Sequence, residues 1–314
     1  MSDLPACVQK AAPVRLIPTL SETAREARAV STFLSCLKAI RPLAQPLLSP
    51  FGVPVGQRSH IECWSEVELR RPVGDRILRP DGLICVRTGS KRWCALVEAK
   101  TGPAQLDREQ VEAYLRLARE NGLEALITLS NQFAPRADHA PVAVNRHLRR
   151  SIDLYHLPWK AVLTQSQLAL MDETAMNSHE RFMLEEFVHY LRQPKSGLSD
   201  FTAMTADWAD MIEAIQHGAP LHRKADRVHR IVSAWHEELH DAALSLSPNV
   251  GTLVTVKVPR RTGIDPADWR DTDAAHFERT HELTGTLQVP HAENMHLTAN
   301  LSKRTIAAHI RLKA

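Results

Sequence analysis

The sequence predicts an α/β protein whose first half folds as a mixed central sheet flanked by helices. Three observations lead there. An apolar stripe at helical spacing near the N-terminus is followed by three strand-like segments. A second amphipathic helix then leads into two short apolar strands. The composition is that of a folded globular chain, with 44% hydrophobic and 24% charged residues among 314.

Residues 1–19 are proline-rich and read as an irregular lead-in, without the apolar stretch of a signal peptide. A helix is expected over 21–40, with Ser21 as N-cap and Glu22 in the first turn. Val30, Phe33, Leu34, Leu37 and Ile40 form its apolar stripe. Pro42, Pro46, Pro50 and Pro54 punctuate a connecting region. Segments 61–69, 77–88 and 92–100 read as a three-strand meander, with a turn at Gly89-Ser90. Asp107 is placed to cap a helix over 107–120 that stops at Asn121-Gly122, and 126–130 and 152–157 read as strands. These elements make one domain over 21–160. Residues 161–245 read as a helical region, with helices at 180–191, 206–216 and 221–244. Residues 246–314 read as a β-rich subdomain, with strands at 252–258, 283–289, 295–301 and 305–312.

Several function classes drop out. No run of about 18 apolar residues occurs, so no transmembrane helix is expected. The five cysteines (Cys7, Cys36, Cys63, Cys85, Cys94) never stand as C-x-x-C. That excludes a zinc ribbon, argues against a four-cysteine iron–sulfur cluster and suits a reduced cytoplasm. A net charge of +3, from 39 basic and 36 acidic residues, is no general charge neutraliser but leaves room for a local basic groove.

The chemistry concentrates on three strand residues. Asp81 stands in Arg79-Pro80-Asp81-Gly82, inside an apolar strand. Glu98 and Lys100 end the next strand and share a face by alternation. As hairpin neighbours, the two strands would set Asp81 beside Glu98. Two converging carboxylates at buried strand ends need a cation, and hard oxygen ligands suit Mg²⁺ or Mn²⁺. On the first helix, Glu26 falls within the apolar stripe and Glu22 near its edge, so either carboxylate could join the site. On the helix after Lys100, Gln110 and Tyr114 are i,i+4 neighbours able to face the sheet.

Pro80-Asp81 followed by Glu98-Ala99-Lys100 resembles the PD-(D/E)XK nuclease superfamily, the restriction-endonuclease-like fold. Gln110-Val111-Glu112-Ala113-Tyr114 resembles the Q-x-x-x-Y element of its RecB-like branch. The resemblance covers about half of the chain. It implies a magnesium-dependent phosphodiesterase acting on nucleic acid, with DNA preferred to RNA. Asp81, Glu98 and the Ala99 carbonyl would bind metal, and Lys100 would orient the attacking water. Glu26 or Glu22 would add an outer carboxylate, with Gln110 and Tyr114 in support. Arg146, Arg149 and Arg150 are candidates for contacting phosphates. A symmetric double-strand cut would call for a homodimer.

Two other readings stand beside this one. The same scaffold could bind nucleic acid or a partner without cutting. Separately, His236-Glu237-Glu238-Leu239-His240 spells H-E-x-x-H, the zinc-peptidase spacing. Its imidazoles, however, flank the packing stripe of Val228, Ile231, Trp235 and Leu239. No third ligand stands out downstream, where Glu278, His281 and Glu282 are merely present, and helix-packing histidines are the expectation.

Overall fold

The computed structural model describes the whole chain except residues 1–3, 22–23, 75–76, 135, 137, 199–203, 260–266 and 311–314. The chain divides into two compact units. The first comprises residues 1–132 and 137–199; the second comprises 133–136 and 200–314. The protein is mixed α/β, with a six-stranded mixed sheet flanked by helices in the first unit and a small antiparallel sheet in the second.

The first sheet runs β1 (Val8–Pro13), β2 (Ser59–Leu69), β3 (Gly82–Thr88), β4 (Lys91–Ala99), β5 (Ala125–Ser130) and β6 (Asp153–Pro158) in spatial as in chain order. Strands β1 to β4 are antiparallel; β4, β5 and β6 are parallel. Alternation sorts the strand residues between two cores. One face packs Ile84, Val97 and Ile127 against α1 (Arg25–Ala39), α2 (Arg41–Leu48), α4 (Trp159–Met171) and α5 (Ser178–Leu191). There Phe33 meets Trp159 edge-on, with ring centroids 5.9 Å apart. The other face packs Leu83, Leu96 and Leu126 against Val111 and Leu115 of α3 (Arg108–Glu120). Asp107 caps α3 as expected, accepting from Gln110 N at 2.8 Å.

The second unit lays α6 (Asp207–Gln216), α7 (Asp226–Val250) and α8 (Ala267–Thr280) with a sheet ordered β10 (Thr305–Ile310), β9 (Met295–Asn300), β8 (Glu282–Gln288), β7 (Thr255–Val256). Trp235 and Leu239 of α7, Phe277 of α8, and Leu283 and Leu287 of β8 form its core.

Four expectations are corrected. The lead-in 1–19 contains β1, which pairs with β2 because Val8 finds a buried slot on the α3 side of the sheet. The proline-marked connector holds α2: Pro42 sits in its first turn, where a missing N–H costs no helix bond, and Pro46 falls near its end. Helix α1 starts later than expected, at Arg25, with Ala24 rather than Ser21 at the N-cap. The helical region 161–245 is not one body, because α4 and α5 pack in the first core while α6 and α7 pack in the second.

The cysteine reading is also revised. Cys85 and Cys94 face each other across β3 and β4 and form a disulfide, which removes the support that scattered thiols gave to a reduced compartment. The bridge closes a short loop already held by strand pairing. Replacing both cysteines by alanine should therefore cost about 1–3 kcal/mol, read as a lower urea midpoint. An unchanged midpoint would mean that the hairpin alone sets this geometry.

Candidate active site

The Gly89-Ser90 turn fixes the site. It pairs Thr88 with Lys91, and the register runs on to Gly82 opposite Val97. One step further, Asp81 meets Glu98 at the ends of β3 and β4. Asp81 Oδ2 accepts from the Ala99 N–H at 2.8 Å, which ties the first carboxylate to the second strand. Strand parity puts both carboxylates on the α3 side, with Leu83 and Leu96.

The backbone under Asp81 is held from β2. Glu66 N donates to Asp81 O and Val67 N to Pro80 O, both at 3.1 Å. Two successive N–H groups can point the same way because Glu66 takes a positive φ of 50°, making a bulge at this point. Gly82 is required for close approach: a Cβ there would lie 2.6 Å from Leu34 Cδ1 and 3.2 Å from the Trp64 carbonyl oxygen. The glycine after Asp81 thus lets α1 lie directly on the strand end.

Lys100 completes the centre. Its Nζ donates to Glu98 Oε1 at 2.7 Å and stands 3.6 Å from Glu26 Oε2. Glu26 Oε1 also accepts from Thr101 N at 3.4 Å. Glu26, Asp81, Glu98 and Lys100 are therefore brought together from α1, β3 and β4. Glu22 lies outside the described residues.

The electrostatics follow from burial. Glu98 is 2% exposed. Burial, then the neighbouring Asp81 charge, pushes its carboxyl up to about 8. Burial likewise raises Asp81, against the opposing pull of the Ala99 N–H and Lys100. A protonated Glu98 can donate to the Asp81 carboxylate, which adds to the rise at Glu98 and works against the rise at Asp81. Burial works to lower the Lys100 ammonium, but its bond to Glu98 and the surrounding carboxylates outweigh that and raise it.

Gln110 and Tyr114 act one layer back. Tyr114 OH donates to the Arg79 carbonyl at 3.2 Å and accepts from Gln110 Nε2 at 3.4 Å. They hold the strand that delivers Asp81 and touch none of the charged groups. Burial raises the Tyr114 phenol to about 12, so it stays a donor at neutral pH.

Other supports come from further along the chain. Trp159 Nε1 donates to the Lys100 carbonyl at 2.9 Å, fixing the backbone that carries the ammonium. Asn131 Nδ2 bridges the carbonyls of Gly102 and Gly197. Gly197, at φ 78°, packs where a Cβ would sit 3.0 Å from the Gly102 nitrogen. Buried His156 donates from Nε2 to the Gln132 carbonyl at 2.8 Å and pairs through Nδ1 with Thr128 Oγ1 at 3.0 Å, and its burial lowers it to about 4. These are tertiary hydrogen bonds, most of them to main chain, which leave no spacing pattern to read.

The arginine cluster stands elsewhere. The short turn Leu148–Arg150 precedes β6, at the N-terminal end of the parallel strands, while Glu98 and Lys100 lie at the C-terminal end of β4. Arg149 is anchored to the Asp138 carbonyl. The sheet therefore does not bring Arg146, Arg149 and Arg150 to the carboxylates.

In the second unit, His236 Nε2 bonds Asp273 Oδ2 at 2.7 Å and its ring stacks on Trp269 at 3.7 Å. Burial, then the charge of His236, lowers His240 to about 3. The two imidazoles of the H-E-x-x-H helix are thus packed between α7 and α8. Among the described residues, no group of three or more His, Cys, Asp or Glu is arranged to hold a metal. That fits poorly with a three-ligand zinc site. It bears less on the Asp81 centre, where two carboxylates, a backbone carbonyl and waters would complete a magnesium shell.

No protein-family model matches the chain, and no curated protein matches it in sequence. No described helix is long and apolar enough to cross a membrane.

Proposed function

We propose that this chain is a metal-dependent nuclease of the PD-(D/E)XK type, with a restriction-endonuclease-like core, hydrolysing phosphodiester bonds of DNA. The observation that carries the reading is the Asp81–Glu98 pair, held face to face, with the Lys100 ammonium 2.7 Å from Glu98. Three carboxylates around one ammonium leave an excess of negative charge in a half-buried place, which a divalent cation would relieve.

The donor set suits Mg²⁺ or Mn²⁺: Asp81 and Glu98 would hold it. The Ala99 carbonyl would join them, since it lies on the same strand edge as the N–H that meets Asp81. Bound there, such an ion lowers the pKa of a coordinated water and offsets the charge that builds on the phosphoryl oxygens. Lys100 would orient the attacking water and share in neutralising the phosphate, its stem steadied by Trp159 through the Lys100 carbonyl. Glu26 would keep Lys100 charged and aimed. Gln110 and Tyr114 would keep the Asp81 strand in register through Arg79. The alternative is a scaffold of this shape that binds nucleic acid without cutting it. A homodimeric state belongs to the same proposal and rests on the sequence alone, whereas the Cys85–Cys94 disulfide takes away the cysteine argument for a cytoplasmic setting.

The test is cleavage of linear, circular and single-stranded DNA and of RNA, with chelator, Mg²⁺ or Mn²⁺. Activity should appear only with metal, and Lys100→Ala should lower it by about 10²-fold or more. Folded wild-type protein that cuts none of these substrates, or a Lys100→Ala protein as active as wild type, would leave the binding scaffold as the better reading.

A further inference from the structure

A cleft of about 530 Å³ opens beside Asp81, between β1 with the segment after it, β2 and α1. Its lining carries two cations that the proposed chemistry leaves unused, Lys10 and Arg15. Both are exposed, and among the described residues neither forms an ion pair. The third cation, Arg79, is spoken for by Glu68 at 2.7 Å.

Arg15 is held on a fixed backbone. Its N–H donates to the Ser31 hydroxyl at 2.8 Å, and that hydroxyl donates back to the Arg15 carbonyl at 3.1 Å. The Thr32 hydroxyl donates to the Leu16 carbonyl at 3.2 Å. Ser31 and Thr32 are buried on α1, so two side chains of the helix fasten the segment from which Arg15 projects. Lys10 rides on β1, opposite Glu68 in register. An unpaired guanidinium and ammonium on anchored backbone, lining the same cleft as Asp81, form an anion-binding wall. A volume near 530 Å³ lies in the range of pockets that take a drug-sized ligand, which is room for a nucleotide of a single strand.

We propose that this cleft receives a single nucleic-acid strand, with Lys10 and Arg15 on backbone phosphates flanking the one presented to Asp81. The identity of the ligand rests on the nuclease reading. The measurement does not, because binding is read without cleavage. Glu66 lines the same cleft as an exposed carboxylate and supplies a control of opposite sign.

The experiment is fluorescence anisotropy in EDTA with labelled oligothymidylate, oligouridylate and a DNA duplex, over a range of salt. Wild type should bind a single strand more tightly than the duplex. The Lys10→Ala/Arg15→Ala double variant should weaken single-strand binding by about tenfold or more. It should also flatten the dependence of log K on log salt by about 1.4, since each single-strand phosphate contact contributes roughly 0.7. Glu66→Gln should bind about two- to fivefold more tightly, because it removes a repelling charge. Loss of slope on the RNA strand alone keeps the cleft and assigns it RNA. An unchanged slope in the double variant, or a duplex bound as tightly as the strand, overturns the proposal. If the slope falls but wild type never cuts with Mg²⁺ or Mn²⁺, the cleft stands and the nuclease reading fails. If wild type cuts through Asp81 while the double variant binds and cuts as wild type does, the reverse holds.

Discussion

Asp81→Asn should cut the rate of metal-dependent cleavage by about 10²–10³-fold or more while leaving the protein folded. The asparagine keeps the size of the side chain and an oxygen able to accept the Ala99 N–H now bonded at 2.8 Å. What it loses is the charge that would hold a cation between the two strand ends. It also removes the charge that, after burial itself, does most to raise Glu98, so the Glu98 carboxyl should fall toward its ordinary range. Two readouts therefore move together: cleavage is lost, and Mn²⁺ no longer raises the melting temperature. Gln110→Ala offers the contrast. It removes only the donor to Tyr114 OH, and a loss of about tenfold or less is expected, with metal stabilisation retained. If Asp81→Asn kept a rate within about tenfold of wild type, the metal role of Asp81 would be untenable.

Much of this centre was readable because short antiparallel hairpins leave little freedom. A two-residue turn at Gly89-Ser90 sets Thr88 against Lys91, and counting outward lands Asp81 opposite Glu98. Parity then puts Lys100 on the same face as Glu98. The same count sets Cys85 against Cys94, so the disulfide is legible in the hairpin register, though not in the spacing of the cysteines along the chain. Glu26 was legible as a carboxylate inside an apolar stripe, and the structure puts it within 3.6 Å of Lys100.

Other parts had no such signal. Strand β1 reads V-Q-K-A-A-P, with one β-branched residue and a proline; only pairing with β2 makes it a strand. The cleft wall that carries Lys10 and Arg15 was hidden for the same reason. Trp159 is fully buried in the core, and its indole N–H also positions Lys100. Conversely, H-E-x-x-H matched a strong local pattern, but Trp269 and Asp273 arrive from a helix the sequence did not reveal and take up His236 in packing. Local spacing can place residues on one face; which neighbour meets that face is set by tertiary structure.

The pH dependence of metal-free stability gives the second large effect. Burial, then the Asp81 charge, raises Glu98 from the ordinary carboxylate range to about 8, so the folded chain binds a proton more tightly than the unfolded chain. A raised acid favours the folded state below its unfolded pKa, and that advantage is lost as pH rises through the folded value. The loss should therefore run from about pH 4.5 to about 8 and amount to roughly 2–4 kcal/mol. Glu98→Gln keeps the shape and removes the titration. In EDTA it should unfold at a higher urea concentration than wild type at pH 9, and the gap should close toward pH 5. Carboxylates held low, such as Glu112 beside Arg108, act in the opposite direction, and they cancel in the comparison because both proteins carry them. A bound divalent ion selects the ionised carboxylates, so Mn²⁺ should release protons on binding and stabilise wild type more at pH 8 than at pH 6. It should do neither for Glu98→Gln. Equal urea midpoints for the two proteins at pH 9 would show that Glu98 is ionised without penalty, and the buried carboxylate pair would no longer be a reason to propose a cation at this site.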